Sequence, residues 1–295
     1  MTTTMRDKIT HANGFIAALD QSGGSTPKAL SLYGVEPSAY ANDSEMFDKV
    51  HTMRARIVNS VGFSGDRILG AILFEDTLLK KINGLPSARY LWEEKGIVSF
   101  LKIDQGLAEM VNGCQCMSPM DNLDTLLDLA VEHGVFGTKM RSVIHEPDPM
   151  GISTVVVQQF VIAEYIISAG LVPIIEPEIN INCLDKAVAE AILFEELFVA
   201  LNGLPNGQQV ILKITLPEEA KHYTALANHP NVLRVVALSG GYSQAQANEK
   251  LSQNPQVIAS FSRALTQGLT ESMDAVTFDA MLAESIDRIY QASVK

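Results

Sequence analysis

Gln209-Val210-Ile211-Leu212-Lys213-Ile214-Thr215-Leu216 is the stretch on which the fold turns. It is an apolar run of β character with one ammonium side chain inside it. A charge that faces the interior is costly unless it has a partner or a task. Burial disfavours the charged form of a lysine, and a neutral amine is a nucleophile toward carbonyl carbon. Seven other apolar runs also end in, or close to, charged or glycine-serine tips. With this one, the runs are 15–20, 68–74, 99–104, 134–141, 171–178, 210–216, 233–239 and 257–262. They are rich in Val, Ile, Leu and Phe and alternate little, as parallel strands covered on both faces do.

Helical patterns lie between these runs. Residues 121–130 put Leu123, Leu126, Leu127 and Ala130 on one side behind a capping Asp or Asn. Residues 155–168 stop before Gly170, and 44–59, 187–201 and 243–251 read as helices too. Strand and helix alternate throughout, and parallel neighbours require right-handed crossovers. Eight such repeats predict an α/β fold, a closed (β/α)8 TIM barrel, in a single domain over residues 1–295. The alternative, an open doubly wound sheet, would usually carry Gly-x-Gly-x-x-Gly after its first strand, and that motif is absent there.

Composition narrows the function classes. The chain has 295 residues, 47% of them hydrophobic and 19% charged, with no linker or low-complexity segment. A net charge of −12 makes nucleic acid and anionic membrane poor partners. The opening Met1–Lys8 stretch has no secretory apolar segment, and the apolar runs read as too short and interrupted to span a bilayer. With an odd three cysteines and no disulfide framework, a cytoplasmic protein with reduced thiols is expected. Cys114 and Cys116 have no neighbouring His or Cys to complete a zinc site, and none of the six histidines forms a His-x-x-x-His pair. No metal and no cofactor are expected. Whether the chain forms a homo-oligomer is not legible in the sequence.

A barrel of this kind places its active site where strands end and βα loops begin. The polar tips there are Asp20, Glu75, Lys102 with Asp104, Lys139 with Arg141, Glu176 with Glu178, Lys213, Ser239-Gly240-Gly241 and Arg263. Spacing by two in a strand puts both side chains on one face. Lys213 is the candidate nucleophile, with burial and cations such as Lys139 and Arg141 expected to lower its pKa. A Schiff base turns a ketone into an iminium, which lets a C–C bond beta to it break to an enamine. Glu176 is the candidate to move the protons. Leu238-Ser239-Gly240-Gly241-Tyr242-Ser243 is an anion-binding loop running into a helix, and Arg263 follows the eighth strand within reach of the same anion. Asp20-Gln21-Ser22-Gly23-Gly24-Ser25 offers a second such loop, with Ser22 and Ser25 as anion contacts. The plainer readings are ion pairs that close the barrel top and a Ser-capped turn.

Several stretches together resemble class I fructose-bisphosphate aldolase, in its compact bacterial form. They are Phe15–Ser25, Ile72-Leu-Phe-Glu75, Leu101-Lys-Ile-Asp104, Gly137-Thr-Lys-Met-Arg141, Leu171-Val-Pro-Ile-Ile-Glu-Pro-Glu178, Leu212-Lys213, Leu238-Ser-Gly-Gly241 and Arg263-Ala-Leu265. The resemblance runs over nearly the whole chain in the same motif order. It implies reversible cleavage of fructose 1,6-bisphosphate to dihydroxyacetone phosphate and glyceraldehyde 3-phosphate, with sugar phosphates as ligands. It implies Lys213 as the Schiff-base residue and Glu176 as acid/base, with Lys139 and Asp20 assisting. Ser239, Gly240 and Arg263 match the phosphate grip at the ketone end. Lys102, Arg141, Ser22 and Ser25 match other site contacts, and Glu178 matches a partner of active-site lysines. There are departures: Gln21 for a Glu, Met140 for a Trp, Ile214-Thr215 for Pro-Asn, and Gln105 for a Lys. Animal members end in a mobile tail with a tyrosine that helps proton exchange; Tyr290, in an expected final helix, does not match it. Two other functions fit the same residues: an aldolase or transaldolase acting on a different ketose phosphate, and a barrel that binds a phosphate ligand without turnover.

Overall fold

The inward faces of the strands explain the architecture. Residues 4–22 and 26–295 are described by the structure, a computed structural model. Eight parallel strands follow one another in chain order around the sheet. They are β1 (Phe15–Leu19), β2 (Ile68–Leu73), β3 (Val98–Lys102), β4 (Gly137–Ile144), β5 (Val172–Ile179), β6 (Val210–Thr215), β7 (Val232–Leu238) and β8 (Val257–Ala259). Ladders join each neighbouring pair, and the Ala18 N–H donates to the Phe261 carbonyl at 3.0 Å where the first and last strands meet. The expected barrel is therefore present, as eight parallel strands nearly closed on themselves, with the short strand Cys114–Gln115 added antiparallel to β4.

Alternation sorts the side chains. Ile16, Ala18, Val98, Phe100, Val172, Ile174 and Ile211 form one buried cluster inside the barrel, and Ile9 joins it. Ile9 belongs to the helix Met5–His11, so this helix packs against the barrel interior. Ala17, Leu19, Leu101, Met140, Ile175, Leu212 and Ile214 belong to a second cluster together with residues of the surrounding helices. Each fully buried Ile or Leu contributes roughly 1.5–3 kcal/mol of transfer free energy, an upper estimate. Two residues beyond the last inward apolar position of a strand, the same face carries Asp20, Lys102, Glu176 or Lys213.

Boundaries moved where caps and backbone contacts decide. The fourth strand begins at Gly137, not Gly134. Gly134 has φ +66° and its N–H bonds the Val131 carbonyl, so it ends the preceding helix. A Cβ on Gly137 would lie 2.0 Å from the Val172 carbonyl oxygen, which fixes glycine where β4 meets β5. The helix Pro149–Ser168 starts earlier than its apolar periodicity suggests, because Asp148 caps it through the Gly151 N–H at 2.8 Å with Pro149 in the first turn. The eighth strand stops at Ala259, which frees Ser260 and Ser262 to line the cavity above.

One expectation needs correction. Pro149–Ser168 is long and apolar enough to cross a membrane, with a mean hydropathy of 1.5. Its buried positions Ile152, Val155, Val156, Ala163 and Ile166 are core residues of the barrel, and the helix packs on β4, β5 and the helix Lys186–Gly203. That packing accounts for one face of the helix; Met150, Val157, Val161 and Tyr165 on the rest of it are exposed. The three cysteines are free, and burial pushes the Cys114 thiol up to about 12, far from a reactive thiolate.

Candidate active site

Lys213 comes from β6 and is 3% exposed at the carboxyl end of the barrel. Its Nζ lies 3.0 Å from Glu176 Oε1. The other oxygen of the same carboxylate, Oε2, lies 2.6 Å from Lys139 Nζ, and Lys139 also reaches Asp20 Oδ2 at 2.9 Å. The four side chains thus form a continuous chain, Lys213–Glu176–Lys139–Asp20, drawn from β6, β5, β4 and the residue after β1. Register makes this possible: Lys102 pairs with Lys139 across the β3–β4 ladder, Lys139 with Ile174, and Arg141 with Glu176 across β4–β5.

The electrostatics follow from burial and pairing. Burial alone would raise the Asp20 carboxyl, but Lys139 and then Lys213 outweigh it and hold the group well below the usual carboxylate range. Glu176 is also lowered: burial opposes, while Lys139 and Lys213 dominate together. For Lys139, burial would lower the ammonium, yet Asp20 and Glu176 hold it strongly up, so it is a fixed cation. Lys213, expected as a charge among cations, has a carboxylate beside it instead. Glu178, expected to face lysines, pairs with Arg141 at 2.5 Å. Lys102 pairs with Asp104 at 2.8 Å.

A cavity of about 550 Å³ opens over this group. Its described lining includes Asp20, Ser22, Lys102, Lys139, Arg141, Glu176, Lys213, Ser239, Gly240 and Arg263. Six cationic side chains and four carboxylates line it, so the mouth is positive although the whole chain is strongly negative. Such a mouth favours an anionic ligand. Ser239 accepts the Tyr242 N–H at 2.9 Å through its carbonyl, and Gly240 and Gly241 take φ of +59° and +120° in that turn. Ser243 then caps the helix Gln244–Ser252. Gly241 does not line the catalytic cavity; it borders an adjoining one of about 480 Å³, shared with Arg263. Glu75 opens the short helix Glu75–Leu79 and is not part of either lining. Ser25 lies outside the described residues.

Lys28, Ser260 and Ser262 line the cavity too, three residues that no strand-tip charge pattern marks in the sequence. Lys28 sits in the first turns of the helix Thr26–Leu32. Pro27 marks that helix start, and this signal could have placed Lys28 beside the mouth. Tyr290 lies on the helix Ala275–Ser293 under Arg67, the residue just before β2, and so at the opposite end of the barrel. Among the described residues, no group of three or more His, Cys, Asp or Glu side chains is placed to hold a metal ion.

A family model described as fructose-bisphosphate aldolase class-I matches residues 2–216. The chain belongs to the class I fructose-bisphosphate aldolase family. The fructose-bisphosphate aldolase class 1 of a Synechocystis sp. strain is 59% identical over 281 residues, which cover 95% of this chain and 94% of that protein. A Plasmodium falciparum fructose-bisphosphate aldolase, solved in complex with TRAP and an inhibitor, superposes over 99% of this chain and 94% of its own, with TM-score 0.77 at 20% identity. A Corynebacterium glutamicum protein does so less closely, over 98% and 91% of the two chains, with TM-score 0.56 at 13% identity. At these identities the two structures speak for the barrel fold alone.

The paired charges in this aldolase predict a pH profile of stability. Asp20 and Glu176 are depressed when folded, so their contribution is complete above their ordinary values, 3.8 and 4.5, and is lost as pH falls. Lys139 is raised, so its contribution is complete below 10.5 and is lost as pH climbs through its folded value. Urea unfolding should be flat in these groups between the two limits. Below pH 3.8 the Asp20→Asn variant should lose up to one proton's worth of acid slope, about 1.4 kcal/mol per pH unit. An unchanged acid slope would contradict the pairing.

Proposed function

We propose that Lys213 carries the Schiff base of this aldolase, with Glu176 as its proton partner. The enzyme is a lyase that reversibly cleaves fructose 1,6-bisphosphate to dihydroxyacetone phosphate and glyceraldehyde 3-phosphate through a lysine Schiff base. The observation that carries the residue assignment is the 3.0 Å contact between Lys213 Nζ and Glu176 Oε1 inside the cavity. Glu176 accepts a proton from Lys213, which frees the amine lone pair for the C2 carbonyl of the substrate. Loss of water from the carbinolamine needs a proton on the departing hydroxyl, and Glu176 returns it there. Lys139, a fixed cation between both carboxylates, stabilises negative charge that develops on oxygen. Asp20, kept ionised, takes the proton of the C4 hydroxyl as the C3–C4 bond breaks and the electron pair moves into the enamine.

Two anion grips complete the reading. Ser239, Gly240 and Arg263 hold the phosphate at the ketone end. Lys102, Arg141, Ser22 and Lys28 face the other end, with Ser25 kept as a further contact through the family resemblance. We also take residues 1–295 as one catalytic domain working in the cytoplasm, where free thiols stay reduced. Its partners are small sugar phosphates rather than nucleic acid or membrane.

Steady-state cleavage assays test this assignment. Arg263→Ala should raise KM for the bisphosphate about 10–100-fold, the loss expected for a charge-assisted grip, with a smaller change in kcat. The bisphosphate should also be cleaved faster than fructose 1-phosphate. No triose phosphate, or preference for a different ketose, would turn the reading toward the alternatives of a binding barrel or another aldolase.

A further inference from the structure

Arg54 lies in the helix Asp43–Asn59 and has no exposed surface. A buried guanidinium is costly unless it is paired. Among the ion pairs of the described residues none includes Arg54. Its donors go elsewhere. Nη1 donates to Thr77 Oγ1 at 2.6 Å, and Nη2 to the Gln21 carbonyl at 2.5 Å. Nε has no hydrogen-bond partner among the described residues. Burial draws the guanidinium down to about 10, against the opposing fields of Asp20 and Asp76. A cation kept at this cost, and spent on a loop carbonyl, needs a reason in that loop.

The loop supplies one. Gln21 follows Asp20, and its Nε2 donates to Ser262 Oγ at 2.5 Å. Ser262 immediately precedes Arg263. Gln21 therefore bridges the seam between β1 and β8, the place where the barrel closes on the Ala18–Phe261 hydrogen bond. Asp20 and Arg263 both line the catalytic cavity, one on each side of that bridge. The path Arg54–Gln21–Ser262 ties the helix Asp43–Asn59 to both.

We propose that Arg54 is a positioning residue: through Gln21 it sets the distance between Asp20 and Arg263, so that a phosphate held by Arg263 presents the ketone to Lys213. This rests on Arg263 being the ketone-end phosphate grip. The geometry favours a fork over a point charge, because one guanidinium spans Thr77 and Gln21 at once. An error near 1 Å in such placement costs about 10²-fold in rate.

Double-mutant cycles on the full chain test it, with kcat and KM for fructose 1,6-bisphosphate as the readout. Arg54→Met should lower kcat/KM about 10–100-fold, and Arg54→Lys should recover only part of that. Gln21→Leu removes the bridge while leaving the buried helix intact, and should raise KM several-fold; it serves if Arg54→Met does not fold. In an Arg263→Ala background, Arg54→Met or Gln21→Leu should cost little more, since the positioned arm is gone. Costs that add in full, or Gln21→Leu at wild-type KM, would overturn the proposal. If Arg263→Ala alone leaves KM unchanged, it is the phosphate assignment that fails, a result separable from the cycle.

Discussion

Lys213→Ala is expected to lower kcat by about 10⁴-fold or more, as removal of a covalent nucleophile does. Lys213→Arg should fare no better, because a guanidinium stays protonated and cannot add to a carbonyl. The fold should survive either change, since Glu176 keeps Lys139 as a partner at 2.6 Å. The decisive measurement is mass spectrometry after borohydride reduction in the presence of dihydroxyacetone phosphate. Wild-type protein should gain one reduced triose phosphate on the peptide that contains Lys213, and the variants none. Wild-type turnover in Lys213→Ala would remove the covalent mechanism from this residue.

Glu176→Ala should act on both stability and rate. It deletes the carboxylate shared by Lys213 and Lys139, leaving Asp20 as the remaining ion-pair partner of Lys139 among the described residues. Breaking a buried pair in this way costs about 3–5 kcal/mol, visible as a lower urea midpoint. Turnover should fall about 10²–10⁴-fold with the loss of acid/base help. Glu176→Gln separates the two effects. It keeps the shape and one acceptor oxygen, so the loss of stability should be smaller, while the rate stays low because an amide cannot take the Lys213 proton. A Gln variant that turns over like the wild type would show that the contact with Lys213 is structural only.

Much of this was open to sequence reading. Each of the eight strands overlaps its apolar run, because a parallel strand covered on both faces is apolar over most of its length. Lys102, Lys139, Glu176 and Lys213 stand out in the sequence because a charge is conspicuous in or beside such a stretch. Caps were harder to use. Asp148-Pro149 is a legible helix start, yet the apolar periodicity pointed six residues later. Glu75 looked like a tip residue but entered a helix. Arg54 was invisible, since an arginine in a helix with charged neighbours reads as a solvated surface residue. Only contacts distant in sequence, to Thr77 and Gln21, reveal that it is buried.

The residues alone determined that eight apolar strands alternate with helices and that a lysine stands in the sixth, because periodicity and the cost of a buried charge are local properties of the chain. Which groups meet was decided by the closed barrel. Its register brings carboxylates and amines from separate strands within hydrogen-bond reach, so that Lys213 shares Glu176 with Lys139 and Arg141 takes Glu178. The strength of a charge pair depends on distances across the fold, and one-dimensional spacing does not contain them.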